Sequence, residues 1–220
     1  MNKETKIIYS FVILALLLVG SFIFLLSLKT NQINRVKLRS NDDLERFVTR
    51  DISTTDADGV SRNFSDLKGK VWLISHVFTR CPGQCAGVCV VLDDLRKEVN
   101  NENLLHLVSV TLDPSHDDAS QLKAFSQKHG LVSKDWWFLT GNPDELNGYM
   151  LETFSLSAQE KNEDQRSGPD DLFAHRPMVA LIDHELKIRG WYDPFDERGN
   201  KSLRKNLFSA INDMKSSKGS

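Results

Sequence analysis

Residues 71–89 place a strand, a cysteine turn and a helix in immediate succession. Val71–Phe78 reads VWLISHVF, a nearly continuous apolar run typical of a strand that is buried on both faces. The only cysteines of the chain follow it, at Cys81, Cys85 and Cys89, and apolar residues then recur at helical spacing. This order predicts a cysteine turn at the carboxyl edge of an open α/β sheet, where such sheets bind their ligands.

The flanking sequence extends this unit to a whole domain. The predicted elements are a hairpin formed by Arg46–Thr54 and Val60–Phe64; strands Val71–Phe78, Leu104–Leu112, Trp136–Thr140, Met178–Asp183 and Lys187–Tyr192; and helices from about Cys85 to Asn100, from Asp118 to His129, from near Pro143 onward, and from Lys201 to Met214. A β-hairpin followed by βαβαβαββα predicts an α/β, thioredoxin-like sandwich with helices on both faces of its sheet.

Cys81 and Cys85 form a CxxxC pair. Residues four apart at the start of a helix lie on one face, about 5–6 Å apart. The pair can therefore close a disulfide after a modest adjustment, or hold one metal ion between two thiolates, and the spacing leaves both readings open. Proximity to a helix N-terminus predicts a lowered thiol pKa. A closed structural zinc site is disfavoured, since its ligands usually come from two cysteine knuckles and this sequence has one.

The third cysteine and the other histidines are weaker candidates for the site. Cys89 lies one turn beyond Cys85 and borders the apolar stripe of the predicted helix, so we favour a packed thiol over a third thiolate or a resolving thiol. His76 lies within the apolar run and is expected to be a hydrogen-bonded core residue. We expect surface or loop positions for His106, His129 and His184, whereas His116 lies in the DPSHD loop, from which it could reach the edge of the site.

Two polar segments border the predicted site. Asp113 and Asp117 follow the second buried strand and are candidate site carboxylates, although turn formation and helix capping account for aspartate there equally well. Ser157–Asp171 holds five acids and two bases, and we expect a solvated loop. Because long loops in compact domains are often functional, its alternative role is to move a ligand or contact a partner.

The N-terminal region predicts a membrane anchor. Ile7–Leu28 is 22 residues without a charge, which is long enough to cross a hydrocarbon core roughly 30 Å thick. Bulky residues fill its end, where a cleaved signal peptide would have small ones. We therefore divide the chain into a short tail at residues 1–6, a transmembrane anchor at 7–28, a tether at 29–45 and the thioredoxin-like domain at 46–216.

The location of the domain follows from its thiols rather than from the flanking charges. The basic residues after the anchor outnumber those before it, which by the positive-inside rule would place the domain in the cytoplasm. Large domains translocate largely regardless of such charges, and a reactive thiol cluster has clearer use outside the reducing cytosol. We expect a single-pass protein of a bacterial inner (plasma) membrane whose domain faces the periplasm or cell exterior. A net charge of −2 leaves no basic stripe for nucleic acid.

The motifs resemble those of the Sco/SenC family of membrane-anchored copper chaperones that serve cytochrome c oxidase. Phe78–Cys85 (FTRCPGQC) is similar to the family's FTxCPxxC, and residues 110–117 (VTLDPSHD) are similar to its DPxxD stretch. His175, ahead of the strand MVALID, is similar to its copper-ligating histidine. The resemblance covers about residues 46–215. The chain departs from the family pattern at Ala86, where proline is common, and at Arg176, where a small hydroxyl residue is common.

The resemblance implies that Cys81, Cys85 and His175 bind copper, a donor set that suits Cu(I). The protein would then be a metallochaperone rather than an enzyme, passing copper to a copper-centre subunit of cytochrome oxidase or a similar cuproprotein. Oxidation of Cys81 and Cys85 to a disulfide would remove the metal site and act as a redox switch. Two alternatives remain: a thiol-disulfide oxidoreductase that reduces a client copper protein and tolerates loss of His175, and a binding or sensor protein that has lost delivery.

Overall fold

A computed structural model of the chain describes residues 46–81, 84–101, 104–168, 170 and 172–218, and gives the backbone alone for Gln84 and His175. The predicted anchor at 7–28 and tether at 29–45 lie outside the described residues. Within the described ranges, no helix is both long enough and apolar enough to cross a membrane.

The described residues form a mixed sheet of seven strands and a separate two-stranded hairpin. The strands are β1 (Thr54–Asp56), β2 (Ser61–Arg62), β3 (Val71–Val77), β4 (Leu105–Thr111), β5 (Trp136–Thr140), β6 (Ala158–Glu160), β7 (Phe173–His175), β8 (Val179–Ile182) and β9 (Ile188–Tyr192). The helices are α1 (Gln84–Val99), α2 (Ala119–Lys128), α3 (Pro143–Phe154) and α4 (Glu197–Lys218). The sheet order is β2-β1-β5-β4-β3-β8-β9, and β6 and β7 form the hairpin.

Parallel strands β3, β4 and β5 form the centre of the sheet, as predicted. β4 pairs in parallel with both β3 and β5, whereas β8 runs antiparallel to β3 and β9 antiparallel to β8. Every residue of the three central strands is buried, since helices cover both faces of the sheet. The helices and central strands lie where the sequence predicts them, within a few residues at each end. The exception is α4, which is longer than predicted at both ends.

Side-chain alternation along the strands divides the interior into two cores. Val71, Leu73 and Val77 of β3 face a core formed with α1, α2 and α4. Trp72 and Ile74 face the opposite core, formed with α3 and the segment before β3. Both cores are continuous and fully buried at the centre, so the end of β3, where the cysteines follow, is held from both sides.

The N-terminal hairpin is shorter than predicted, and its first strand lies later in the chain: the strand predicted over 46–54 overlaps β1 only at Thr54. Its turn has the expected chemistry: the Asp56 carboxylate accepts N–H bonds from Asp58 and Val60, and Gly59 has a φ of +77°. The predicted strand over 60–64 ends early because Phe64 begins a 3-10 turn. Its ring packs 5.1 Å from that of Tyr149, in the core beneath α3.

The polar segment 157–171 is only partly the predicted loop. β6 lies within it and pairs antiparallel with β7, so that Ala158 is opposite His175 and Glu160 is opposite Phe173. A 3-10 turn over Glu163–Gln165 lies between the two strands. The prediction was wrong here because each strand has only three residues, too few to give an alternating apolar pattern.

The prediction for His106 was also wrong. This residue lies within β4, is 2% exposed, and packs edge-on against Trp137 with ring centroids 4.4 Å apart. Burial, together with the positive charges of Lys70 and Arg62, lowers the pKa of His106 to about 3. Of its ring nitrogens, Nε2 has no hydrogen-bond partner within the described part of the chain.

This buried histidine predicts a loss of stability at mildly acidic pH. His106 stays neutral in the folded chain down to a pH of about 3, whereas the unfolded chain takes up a proton near the ordinary pKa of 6.5. The free energy of unfolding should therefore be highest above pH 6.5 and fall as the pH drops below it, by about 2 kcal/mol from this residue at pH 5. Urea unfolding of His106→Leu at pH 7.5 and 5 should show a smaller fall than in the native chain.

The matched control is His129→Leu, a change to an exposed histidine at the end of α2. Its free energy of unfolding should fall with pH in parallel with the native chain. If His106→Leu and His129→Leu show the same fall, His106 is not responsible for the pH dependence.

Candidate metal centre

The cysteine turn closes directly after β3. The Cys81 N–H donates to the Phe78 carbonyl at 3.0 Å, and α1 begins at Gln84. The backbone N–H of Cys85 then donates to the Cys81 Sγ at 3.4 Å. All three cysteines are in the thiol form. The structure thus brings Cys81 and Cys85 together at the carboxyl edge of the sheet, as their spacing predicts.

The two thiols differ in exposure and are in mutual contact. Cys81 is half-buried at the surface of the turn, whereas Cys85 is 1% exposed. A hydrogen bond to the Cys81 side chain, followed by burial, raises the pKa of the Cys85 thiol well above its ordinary range. A hydrogen bond with the Phe78 backbone acts in the opposite direction but is outweighed. The lowered pKa predicted from the helix N-terminus is therefore wrong for Cys85, whose surroundings favour the thiol over the thiolate.

Cys89 is a packed core thiol, as favoured from the sequence. It is 0% exposed and belongs to the core between α1 and the sheet, beside Val88 and Leu92. Burial raises its pKa to about 12, against a hydrogen bond to Ser109 that lowers it. Within the described structure, Cys89 therefore has the surroundings of an inert thiol.

The β6–β7 hairpin covers the cysteine turn. The ring of Phe173 packs edge-on against Phe78, with centroids 5.3 Å apart. Phe78, Cys85 and Leu112 form a small apolar cluster, and the partly buried residues packed against it are Cys81, Ala158, Leu172 and Phe173. Ala158 is the residue that pairs with His175 across the hairpin. The fold thus brings the backbone of the strand that contains His175 to the cysteine turn.

The predicted carboxylates lie behind the turn rather than in the site. Asp117 is 0% exposed and accepts bonds from the Thr79 N–H at 3.2 Å, from the Thr79 hydroxyl, and from the Thr111 hydroxyl at 2.7 Å. The Nδ1 of His116 lies 3.0 Å from the same carboxylate. Asp117 therefore joins the end of β3 to the end of β4 and fixes the residues that precede Cys81.

Asp113 stabilises the same turn through an ion pair with Arg80. Its carboxylate binds the Arg80 guanidinium at 2.6 Å, and its own N–H donates to the Thr111 hydroxyl at 3.0 Å. Thr79, Arg80 and Thr111, which support the site, were not among the residues predicted for it. The available signal was the polar residue at the end of each of two adjacent parallel strands, β3 and β4.

Among the side chains that the structure describes, no three His, Cys, Asp or Glu residues stand together as a metal site. The side chain of His175 is not among those described, so that statement does not include it. His76 lies buried in β3, in agreement with a core residue.

Comparison with known proteins identifies the family. The model of the SCO1/SenC family matches residues 42–208. The chain is 31% identical over 147 residues to the SCO1 protein homolog of Bacillus subtilis, and the aligned region covers 64% of this chain and 73% of that protein. It is 27% identical over 191 residues to the SCO2-like protein of Rickettsia felis, and the aligned region covers 83% of this chain and 88% of that protein.

Solved structures have the same fold. A SCO1/SenC family lipoprotein from Bacillus anthracis has a TM-score of 0.64 at 24% identity, covering 75% of this chain and 95% of that one. BsSco, in which a disulfide switch was identified, has a TM-score of 0.64 at 26% identity, covering 78% and 96%. The family model spans both the cysteine turn and the strand of His175, and the Bacillus subtilis relative is more than 30% identical to this chain. The chain therefore belongs to the SCO1/SenC family.

Proposed function

We propose that this protein binds Cu(I) through Cys81, Cys85 and His175 and delivers it to a copper-centre subunit of cytochrome c oxidase or a similar cuproprotein. The observation that supports this most directly is the contact between Cys81 and Cys85 beneath the strand that contains His175. Related proteins support the choice of metal and process. Bradyrhizobium japonicum ScoI and yeast Sco1 have been solved with copper bound, and BsSco is described as a member of the Sco family of cytochrome c oxidase assembly proteins.

The donor set fits copper as a transferable cargo. Two thiolates and an imidazole are soft or borderline ligands that suit Cu(I), whereas a structural zinc site is normally closed by four ligands. Cys89 is buried in the core, so it does not complete such a set. The half-buried Cys81 gives an incoming ligand access to the metal from solvent. Cys85 must lose its proton on binding, so copper uptake releases protons.

The membrane anchor at residues 7–28, with the domain facing the periplasm or cell exterior, is part of the same proposal. An apolar run of 22 residues and the naming of the Bacillus anthracis relative as a lipoprotein support attachment to a membrane. Protease added to intact spheroplasts should digest the domain. Digestion only after the membrane is broken would place the domain in the cytoplasm.

An anaerobic Cu(I) competition titration tests the copper site. The fully reduced full-length chain should bind one Cu(I), and His175→Ala should weaken binding by at least the roughly 10–100-fold that loss of an outer-shell partner costs. His129→Ala, a change to an exposed histidine, is the matched control and should bind like the native chain. Equal binding by the native chain and His175→Ala would overturn the three-ligand site.

A second candidate function is thiol-disulfide exchange, favoured by the asymmetry of the thiol pair. The more exposed Cys81 would attack a client disulfide to form a mixed disulfide, and Cys85 would resolve it. The products are a Cys81–Cys85 disulfide and two client thiols, so two electrons pass to the client. A disulfide switch in BsSco agrees with such chemistry. If the native chain and His175→Ala reduce a disulfide-bonded client peptide equally well, and the native chain binds no Cu(I), the function is thiol-disulfide exchange instead.

A further inference from the structure

The β6–β7 hairpin has a second side, which borders an open cavity of about 340 Å³. The cavity volume falls at the lower end of the range for small-molecule sites. The polar residues of its lining are His76, Ser155, Ser157, Gln159 and Arg176.

The cavity lies next to the proposed copper site but is not part of it. Ala174 and Arg176, the residues on either side of His175 in the chain, line the cavity, whereas Phe173 packs on the cysteine turn. Neither Cys81 nor Cys85 is among its described lining residues. His76 is 8% exposed, and strand alternation places it on the same face of β3 as Ile74, towards α3.

The charges around the cavity favour an anion. Arg176 is exposed and lines the cavity, and none of the ion pairs found among the described residues involves its guanidinium. A second guanidinium, that of Arg46, donates to the Ser155 hydroxyl at 2.9 Å. The described lining contains neither Asp nor Glu. The described lining therefore supplies one guanidinium and neutral hydrogen-bond donors, and it contains no carboxylate.

The nearby end of α3 does not reverse this balance. The C-terminus of a helix carries partial negative charge on its last carbonyl groups. Here the carbonyl of Glu152 accepts a bond from Arg46 at 3.3 Å, and that of Phe154 accepts one from the Trp191 indole. These bonds satisfy two of the carbonyl groups at this end of the helix.

We propose that this cavity binds a carboxylate group, either of a small organic acid or of an acidic side chain on a partner protein. Arg176 supplies the charge and a planar pair of N–H donors that matches a carboxylate. Ser157 and Gln159 supply neutral donors from the hairpin side, and His76 lies at the buried end. This site needs no metal and goes beyond the proposed copper chemistry. An acidic side chain held in the cavity would lie beside the strand of His175.

Titrations of the metal-free, reduced full-length chain in detergent test the proposal. The probes are acetate, succinate and a capped Asp-Asp peptide, each at constant ionic strength, with a capped Asn-Asn peptide as the neutral comparison. The readout is the backbone amide shifts of Gln159 and Ala174. A saturable shift is expected for the native chain, and Arg176→Gln should weaken binding at least tenfold. His76→Gln is a second variant that keeps a polar side chain at the buried end.

The matched control is Arg166→Gln, which removes the same charge close to the hairpin but outside the cavity lining. Arg166 pairs with Glu160 at 3.2 Å, and its loss should leave binding unchanged. Saturation by acetate or succinate would identify a small carboxylate as the ligand, and saturation by the Asp-Asp peptide alone would identify a partner's side chain. Shifts that stay linear in concentration, that are equal in Arg176→Gln, or that Asn-Asn reproduces would overturn the proposal. Since no copper is present, these results are independent of the copper site.

Discussion

Replacement of Cys85 by alanine is expected to abolish tight Cu(I) binding, whereas replacement of Cys89 by alanine should leave the affinity within a few-fold of native. Both residues lie on α1, four positions apart, and both are buried. Only Cys85 contacts the Cys81 thiol, in the cluster beneath the β6–β7 hairpin. Removing a direct thiolate ligand should cost more than the roughly 10–100-fold typical of an outer-shell change. Anaerobic competition against a Cu(I) chelator measures both affinities.

The Cys89→Ala variant also serves as the control for folding. Cys89 packs as a small apolar residue, so its truncation should lower the free energy of unfolding by roughly 1–2 kcal/mol. Urea unfolding of both variants separates this cost from the loss of copper. If Cys89→Ala loses Cu(I) as completely as Cys85→Ala while remaining folded, Cys89 is a third thiolate ligand and the two-thiolate site is wrong.

The centre of the fold could be predicted because its signal is local. Val71–Val77 and Leu105–Thr111 are buried on both faces, and burial on both faces appears in the sequence as a nearly continuous apolar run. The proximity of Cys81 and Cys85 also follows from spacing alone, since a helix begins between them. These predictions needed no information about residues distant in the chain.

The errors have a common cause, which is contact between distant parts of the chain. β7 is short, and it is held by its pairing with β6 and by the packing of Phe173 on Phe78, 95 residues earlier in the sequence. His106 is polar but buried, because Trp137 of the neighbouring strand covers it. The pKa of Cys85 is raised because burial and the Cys81 contact outweigh the effect of the helix N-terminus. Composition and periodicity carry no record of such partners.

Among the residues that support the cysteine turn, Asp117 is the one whose replacement should lower the free energy of unfolding the most. The Asp117→Asn variant is expected to lower the free energy of unfolding by about 2–4 kcal/mol, since it removes a buried acceptor that serves several donors. An amide in its place keeps only one acceptor oxygen for these donors, and it replaces the charge-assisted bonds of the carboxylate with weaker neutral ones. Urea unfolding at pH 7.5, with the midpoint and slope both fitted, measures the change.

Asp118→Asn is the matched control, one residue along the chain. Asp118 caps α2 by accepting the Gln121 N–H at 2.8 Å, and asparagine caps a helix about as well as aspartate, so its cost should stay below about 0.5 kcal/mol. Equal costs for the two variants would mean that the bonds of Asp117 contribute little. Because Asp117 fixes Thr79, two residues before Cys81, the Asp117→Asn variant should also bind Cu(I) more weakly than Asp118→Asn even when both are fully folded. That difference would show that the buried carboxylate positions the thiol pair as well as stabilising the sheet.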